Sequence, residues 1–313
     1  MRPIGAARSV LVSHDLVVCV VAFQGGVYED MLVFTKLPMD TCEKALKAAQ
    51  MGAQRHPGTT IRARGFEAMD VALSRWYALH GAYRLEPLLT CLPSMRDVVS
   101  VHATAHGDLH VLQRVLELHG FSPHLLHLAV ATNVLPVVAF VSTANTPGFT
   151  FRTLDLAASL GHLDIVQWLH GHRADGASNK AMDRAARFGH LSVVQWLHEH
   201  REEGCTTDAM DCAARNGHLS VLVWLHAHRQ EGWTVSAMEM AASRGNLPVV
   251  EWLHAHKPER DHDAMLLHAS SFGHFVVVRF LCENGYDGLA ESIAHAREQG
   301  HHAMLAFLIA LDV

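Results

Sequence analysis

GHLDIVQWLH (161–170) is followed by GHLSVVQWLH (189–198), GHLSVLVWLH (217–226) and GNLPVVEWLH (245–254). The tryptophans of these phrases, Trp168, Trp196, Trp224 and Trp252, stand 28 residues apart. The period also recurs in columns that owe nothing to Trp. Gly161, Gly189, Gly217, Gly245 and Gly273 share it, as do Gly120, Gly148, Gly176, Gly204 and Gly232. A third column alternates small hydroxyl residues: Ser122, Thr150, Ser178, Thr206 and Thr234. Several columns at one fixed spacing mean one supersecondary unit repeated, each copy packing on its neighbours.

One unit, SNKAMDRAARFGHLSVVQWLHEHREEGC (178–205), shows what is repeated. Ser178 is a good N-cap, and Met182, Ala185 and Ala186 put small and apolar groups on one helical face. Gly189-His190 breaks that helix. Leu191, Val194, Trp196 and Leu197 then form the apolar face of a second helix, so the Trp column reads as core. Gly204 reads as the residue that closes this helix with positive φ. Two helices of about ten residues with two short turns account for the whole period.

The unit resembles the ankyrin repeat. TLDLAASLGHLDIVQWL (153–169) follows that family's pattern T-P-L-H-L-A-A-x-x-G-H-L-x-V-V-x-x-L with the Pro and His replaced, and LLHLAVATNVLPVVAFV (125–141) keeps its L-H-L-A core with Asn133 at the Gly position. VHATAHGDLHVLQRVLELHG (101–120) is recognisable as well. Gly positions at 107, 133 (Asn), 161, 189, 217, 245, 273 and 300 define eight units across residues 96–313. Ankyrin repeats run about 33 residues; the shorter period here lacks the stretch that builds the projecting β-hairpin finger. The expected fold is an all-α solenoid of ankyrin-like helix-turn-helix repeats, preceded by a small α+β element over residues 1–95. Within that element SVLVSHDLVVCVVAF (9–23) and VYEDMLVF (27–34) read as strands around Gln24-Gly25-Gly26, and MDTCEKALKAAQMG (39–52) and FEAMDVALSRWYALH (66–80) as helices. A buried strand fits the apolar start better than a signal peptide, because His14 and Asp15 interrupt it and no A-x-A pattern follows.

Charge and cysteine narrow the function. Residues 1–95 carry 10 Lys+Arg against 8 Asp+Glu, and residues 96–313 carry 15 against 23. An acidic array is a poor phosphate binder, which argues against nucleic acid and anionic membrane as partners. No apolar run approaches a membrane span. Six Cys show no C-x-x-C and no framework spacing, which points to free thiols in a reducing, cytoplasmic compartment, the nucleus remaining open.

No catalytic signature is present: G-x-S-x-G, H-E-x-x-H and the phosphate-cradling glycine motifs are all missing. The 26 His include His170/His172, His198/His200, His226/His228 and His254/His256. Residues i and i+2 diverge by about 200° on a helix, so neither member can share an ion with the other. We expect polar structural columns here, with no metal, cofactor or catalytic residue. His162, His190, His218 and His274 follow the turn Gly, and the resemblance implies that they bond across neighbouring loops.

Function then falls where the units differ. In A-A-x-x-G the resemblance puts the two variable residues on the concave side, and here they are Ser159-Leu160, Arg187-Phe188, Arg215-Asn216, Ser243-Arg244 and Ser271-Phe272. Arginine and aromatic side chains are typical interface anchors. Candidate partner contacts are Arg187, Phe188, Arg215, Asn216, Arg244 and Phe272. Trp233 joins them as an aromatic where other units have Ala177 and Cys205. The expected function is a non-catalytic interaction scaffold or adaptor for a protein partner. The alternative is a small-molecule-binding or catalytic segment in 1–95 with the array as targeting arm. A monomer is expected. Self-association through AMLAFLIALDV (303–313) is the alternative, unless this apolar helix buries against the 273 unit.

Overall fold

The computed structural model describes residues 28–35, 66–121, 125–144, 151–172, 176–256 and 264–311. The described residues form nineteen α-helices and no strand. The chain divides into two compact units, one ending at Phe149 and the other beginning at Thr150.

In the first unit the expected strand over 27–34 is instead a 3₁₀ turn, Glu29–Met31, running into α1, Leu32–Thr35. Its alternation is broken where Met31 and Phe34, three apart as on a helix, are both buried. They lie beneath α2, Phe66–His80, which has the expected bounds. Asp30 fixes the junction by accepting from Trp76 Nε1 at 3.1 Å and from Arg84 at 2.9 Å. The strand at 9–23, the turn at 24–26 and the helix at 39–52 lie outside the described residues. A short helix that the periodicity did not announce, α3 (Leu85–Cys91), follows. Two helix pairs complete the unit: α4 (Met95–His106) with α5 (Leu109–His119), and α6 (Leu125–Ala131) with α7 (Leu135–Thr143).

The second unit contains six more pairs: α8/α9 (Phe151–Leu160, Leu163–His172), α10/α11 (Asn179–Arg187, Leu191–His200), α12/α13 (Thr207–Arg215, Leu219–His228), α14/α15 (Val235–Ser243, Leu247–His256), α16/α17 (Ala264–Ser271, Phe275–Glu283) and α18/α19 (Leu289–Glu298, His302–Leu311). All eight predicted turn positions adopt positive φ, and Asn133 (φ 57°) is the one non-glycine among the described residues to do so. The caps follow the reading too. Ser178, Thr206 and Thr234 each accept from the backbone N–H two residues on. Ser122 and Thr150 lie outside the described residues.

Two assignments need correction. α11 ends at His200, with Arg201 as an extended C-cap, so Gly204 does not close it; Gly204 takes φ 67° in the loop just before the next cap. The buried face of α11 is Val193, Val194 and Leu197, with Leu191 and Trp196 half-buried. At about 100° per residue Leu197 falls between the two valines, whereas Trp196 falls about 60° outside them, at the rim.

The first helices are buried nearly all round: Ala181, Met182, Asp183, Ala185 and Ala186 in α10. Within the second unit α10, α12, α14 and α16 each lie between the first helices of their neighbours, which alanine permits by letting backbones approach; the bulkier second helices touch one another more sparsely. At the end of the array Met304 and Leu308 are buried, and Phe307 meets Phe275 edge-on at 5.2 Å and lies under the Arg279 guanidinium. The apolar last helix thus buries against the 273 unit, and Ile309 is its exposed large residue.

Candidate functional site

Repeats join through three sets of polar contacts. In the first, a buried carboxylate on one first helix holds the cap of the next. Asp183 accepts from Thr206 N at 2.8 Å and from its Oγ1 at 2.9 Å. Asp155 does the same for Ser178 and Asp211 for Thr234. Asp183 and Asp211 stand four residues before Arg187 and Arg215, a spacing that allows ion pairs along a helix surface; both aspartates are buried and serve the neighbouring repeat instead. Burial raises the carboxyl pKa of Asp155 and Asp183 above the ordinary value, and the hydrogen bonds from Ser178 and Thr206 pull it back.

In the second set, the residue after the turn Gly reaches back one repeat. His190 Nε2 donates to the Ser159 carbonyl at 3.2 Å and His274 Nε2 to that of Ser243 at 3.0 Å. Asn246 donates to the Arg215 carbonyl at 2.9 Å. This is the cross-loop bonding that the ankyrin resemblance implied, found for His190 and His274 but not for His162, whose buried Nε2 has no hydrogen-bond partner among the described residues. Burial lowers the pKa of His162, His190 and His218.

The third set is an aromatic row along the second helices. His172, His200 and His228 each stack on the Trp four residues earlier, with centroids 4.3–4.4 Å apart, and donate Nδ1–H to its carbonyl. His170, His198 and His226 point the other way, edge-on to the next repeat's Trp at 5.1–5.2 Å. Arg201 donates to His170 Nδ1 at 3.2 Å and pairs with Glu203. Both members of each H-x-H are thereby engaged in packing. Trp233 belongs to this row, half-buried against Trp252 at 5.7 Å and His226 at 5.3 Å.

The other candidate contact residues all end first helices. In four of the five variable pairs the first position is the more enclosed, with Ser159 fully buried and Arg215, Ser243 and Ser271 half-buried; Arg187 and Phe188 are both half-buried. The second position projects. Asn216, Arg244 and Phe272 are exposed, Phe272 by 67%. Phe188 is half-buried with the Arg187 guanidinium 5.7 Å from its ring centroid. The Asn216 amide is committed to the carbonyls of Arg187 and Cys212, which reduces its availability to a partner. Phe272 borders a shallow open groove shared with Phe275, His301 and Met304.

Sequence reading missed one constellation. Asp70 on α2 and His102 and His106 on α4 bring three ligand-type atoms within 4.8 Å of one another. The H-x-x-x-H spacing of the two His on one helix is a signal, but nothing in the sequence announces that Asp70 meets them.

Cys91, Cys205, Cys212 and Cys282 are free thiols, and burial pushes Cys205 up to about 11. Burial raises Cys212 and Cys282 as well, so these three lack the lowered pKa of a nucleophile. Among the described residues no helix is long and apolar enough to cross a membrane.

These features define a class, a helix-turn-helix repeat array whose repeats between residues 155 and 274 are joined by hydrogen bonds. A family profile described as ankyrin repeats (many copies) matches residues 154–198 and 182–226, and one described as ankyrin repeats (3 copies) matches residues 209–292. Residues 154–292 thus carry ankyrin repeats. No curated protein matches it.

Proposed function

We propose that this chain is a non-catalytic adaptor that binds a protein partner along the face where the first helices end. Ankyrin repeats are generally protein–protein interaction modules. The observation that carries the finer reading is the contrast between positions on one helix. Ala185 and Ala186 of α10, and Ala213 and Ala214 of α12, are identical and buried, whereas the arginine that follows in both, Arg187 and Arg215, is half-buried and the next residue changes from Phe188 to Asn216. Close first-helix packing beside bulkier second helices makes the first-helix side the inner one. Arg187, Phe188, Arg215, Arg244 and Phe272 then supply guanidinium and aromatic anchors on that side. On this reading residues 96–313 supply the interaction array and residues 1–95 a separate element. The free thiols and acidic array fit a reducing, cytoplasmic setting with no nucleic acid as partner.

Affinity capture with the full chain, compared with the Arg187→Ala/Phe188→Ala/Arg215→Ala/Arg244→Ala variant, tests this. A protein enriched by wild type and lost with the variant supports the reading. Equal enrichment would move the contact to Trp233 or to residues 1–95.

A further inference from the structure

We infer that Asp70, His102 and His106 form a binding site for one divalent transition-metal ion, with zinc the best chemical match. Two facing helices each contribute a pair one turn apart: Asp70 and Ser74 from α2, His102 and His106 from α4. Residues four apart lie on the same helical face, so the four side chains point into one gap. His106 Nε2 lies 2.6 Å from Asp70 Oδ1, and His102 Nε2 lies 3.4 Å from the same oxygen. The two imidazole centroids are 4.5 Å apart. Ligand atoms about 2.0–2.1 Å from a tetrahedral ion stand about 3.3 Å from one another. Adjustments of well under one turn of a side-chain torsion therefore bring all three atoms to bonding distance.

Two other readings of these residues are weaker. A Ser–His–Asp relay needs the hydroxyl on one ring nitrogen and the carboxylate on the other. Here Ser74 Oγ, at 3.1 Å, and Asp70 Oδ1 both address His102 Nε2. A simple His106–Asp70 ion pair would not call for a second, buried imidazole aimed at the same carboxylate oxygen, yet His102 is only 8% exposed and is aimed there. Convergence on a single point is what coordination requires.

Two imidazoles and a carboxylate suit zinc and its borderline neighbours rather than calcium or magnesium, which take oxygen ligands. Three protein ligands leave a fourth position. It faces solvent, because the Asp70 and His106 side chains are 32% and 49% exposed. Open three-ligand sites are the pattern of zinc that binds water or an exchangeable ligand, whereas structural zinc is closed by four. The site goes beyond the adaptor reading and does not depend on the inner face of the array.

The test titrates metal-stripped full-length protein with Co²⁺ and follows visible absorption, then displaces the cobalt with Zn²⁺. One Co²⁺ per chain with the absorption of a low-coordinate ion is expected. Asp70→Asn and His106→Gln, at accessible side chains, should each weaken binding by at least about tenfold while circular dichroism stays unchanged. His200→Gln with His228→Gln, in the aromatic row, should leave binding intact. X-ray absorption of zinc-loaded wild type should report two imidazole nitrogens and one carboxylate oxygen at about 2.0–2.2 Å, whatever the variants do. No uptake by wild type, or undiminished uptake by the Asp70→Asn/His106→Gln variant, overturns the assignment.

Discussion

Asp183 reaches across 23 residues of sequence to hold Thr206 at both its backbone N–H and its hydroxyl, 2.8 and 2.9 Å away. The same hydroxyl caps α12 by accepting from Asp208 N at 3.2 Å. One residue therefore starts its own helix and ties it to the preceding repeat. Thr206→Val removes the cap and leaves a buried carboxylate with one partner fewer. It should cost about 2–3 kcal/mol in urea unfolding, while Thr206→Ser should cost under about 1 kcal/mol. A loss as large for Thr206→Ser as for Thr206→Val would mean that the methyl group matters as much as the hydroxyl.

Gly189 serves two purposes at once. Its φ is 79°, and a Cβ there would stand 2.6 Å from His218 Nδ1 of the next repeat. Gly232 also has positive φ (69°) but nothing within 4 Å of a Cβ. Gly232→Ala should thus show backbone strain alone, about 1 kcal/mol, and Gly189→Ala clearly more, about 2–4 kcal/mol. Thermal melts of both read the difference directly, and equal shifts would contradict the packing argument.

The buried His column makes the array sensitive to acid. His162, His190 and His218 have pKa values lowered by burial, so below pH 6.5 the unfolded chain takes up protons that the folded chain refuses. Their contribution is complete above 6.5 and is lost as pH falls toward the folded values. Asp155 and Asp183, raised above 3.8, act oppositely: the folded chain holds the extra proton, so they add stability as pH falls through their folded values. The His effect sets in first. Urea stability should fall from pH 7 to pH 5.5, and His190→Asn with His218→Asn should flatten that slope. Asparagine is the right replacement because Asn246 already fills this column. An unchanged slope would assign the acid sensitivity to other groups.

Much of this architecture is written locally. Capping hydroxyls, a turn residue at positive φ and an apolar stripe are properties of residues a few positions apart, and a 28-residue echo repeats them. Contacts between units are written less plainly. The Asp column had a plausible partner one turn away, Arg187 or Arg215, and only the stacking of first helices places Ser178, Thr206 and Thr234 nearer. Trp196 looked like core because it is large and apolar, although its angular position put it at the rim. VYEDMLVF alternates well enough for a strand, but burial of Met31 and Phe34 against α2 selects a turn of helix. The Asp70–His102–His106 group depends on the packing of α2 on α4, which no periodicity encodes.

The rim position of Trp196 changes what its loss should do. It is half-buried, stacked on His200 and touched edge-on by His170. Trp196→Ala should cost about 2 kcal/mol, less than the 3–5 kcal/mol of a fully buried Trp, and His200→Ala about 0.5–1 kcal/mol. The double variant should lose less than the sum, since both remove the same stack. Strict additivity in denaturant melts would show that the stack contributes nothing.

The adaptor reading meets its most direct test in the affinity of a captured partner for three forms of the chain, measured by calorimetry across a range of salt. The Arg187→Ala/Phe188→Ala/Arg215→Ala/Arg244→Ala variant should bind at least about a hundredfold more weakly with its fold unchanged, because a few anchors carry most of an interface's energy. The difference should shrink as salt rises, since exposed charges are screened within about 10 Å at 0.1 M. Glu199→Ala with Ala227→Ser, at exposed positions on the second helices, should match wild type. A quadruple variant that binds as tightly as wild type at every salt concentration would contradict the account.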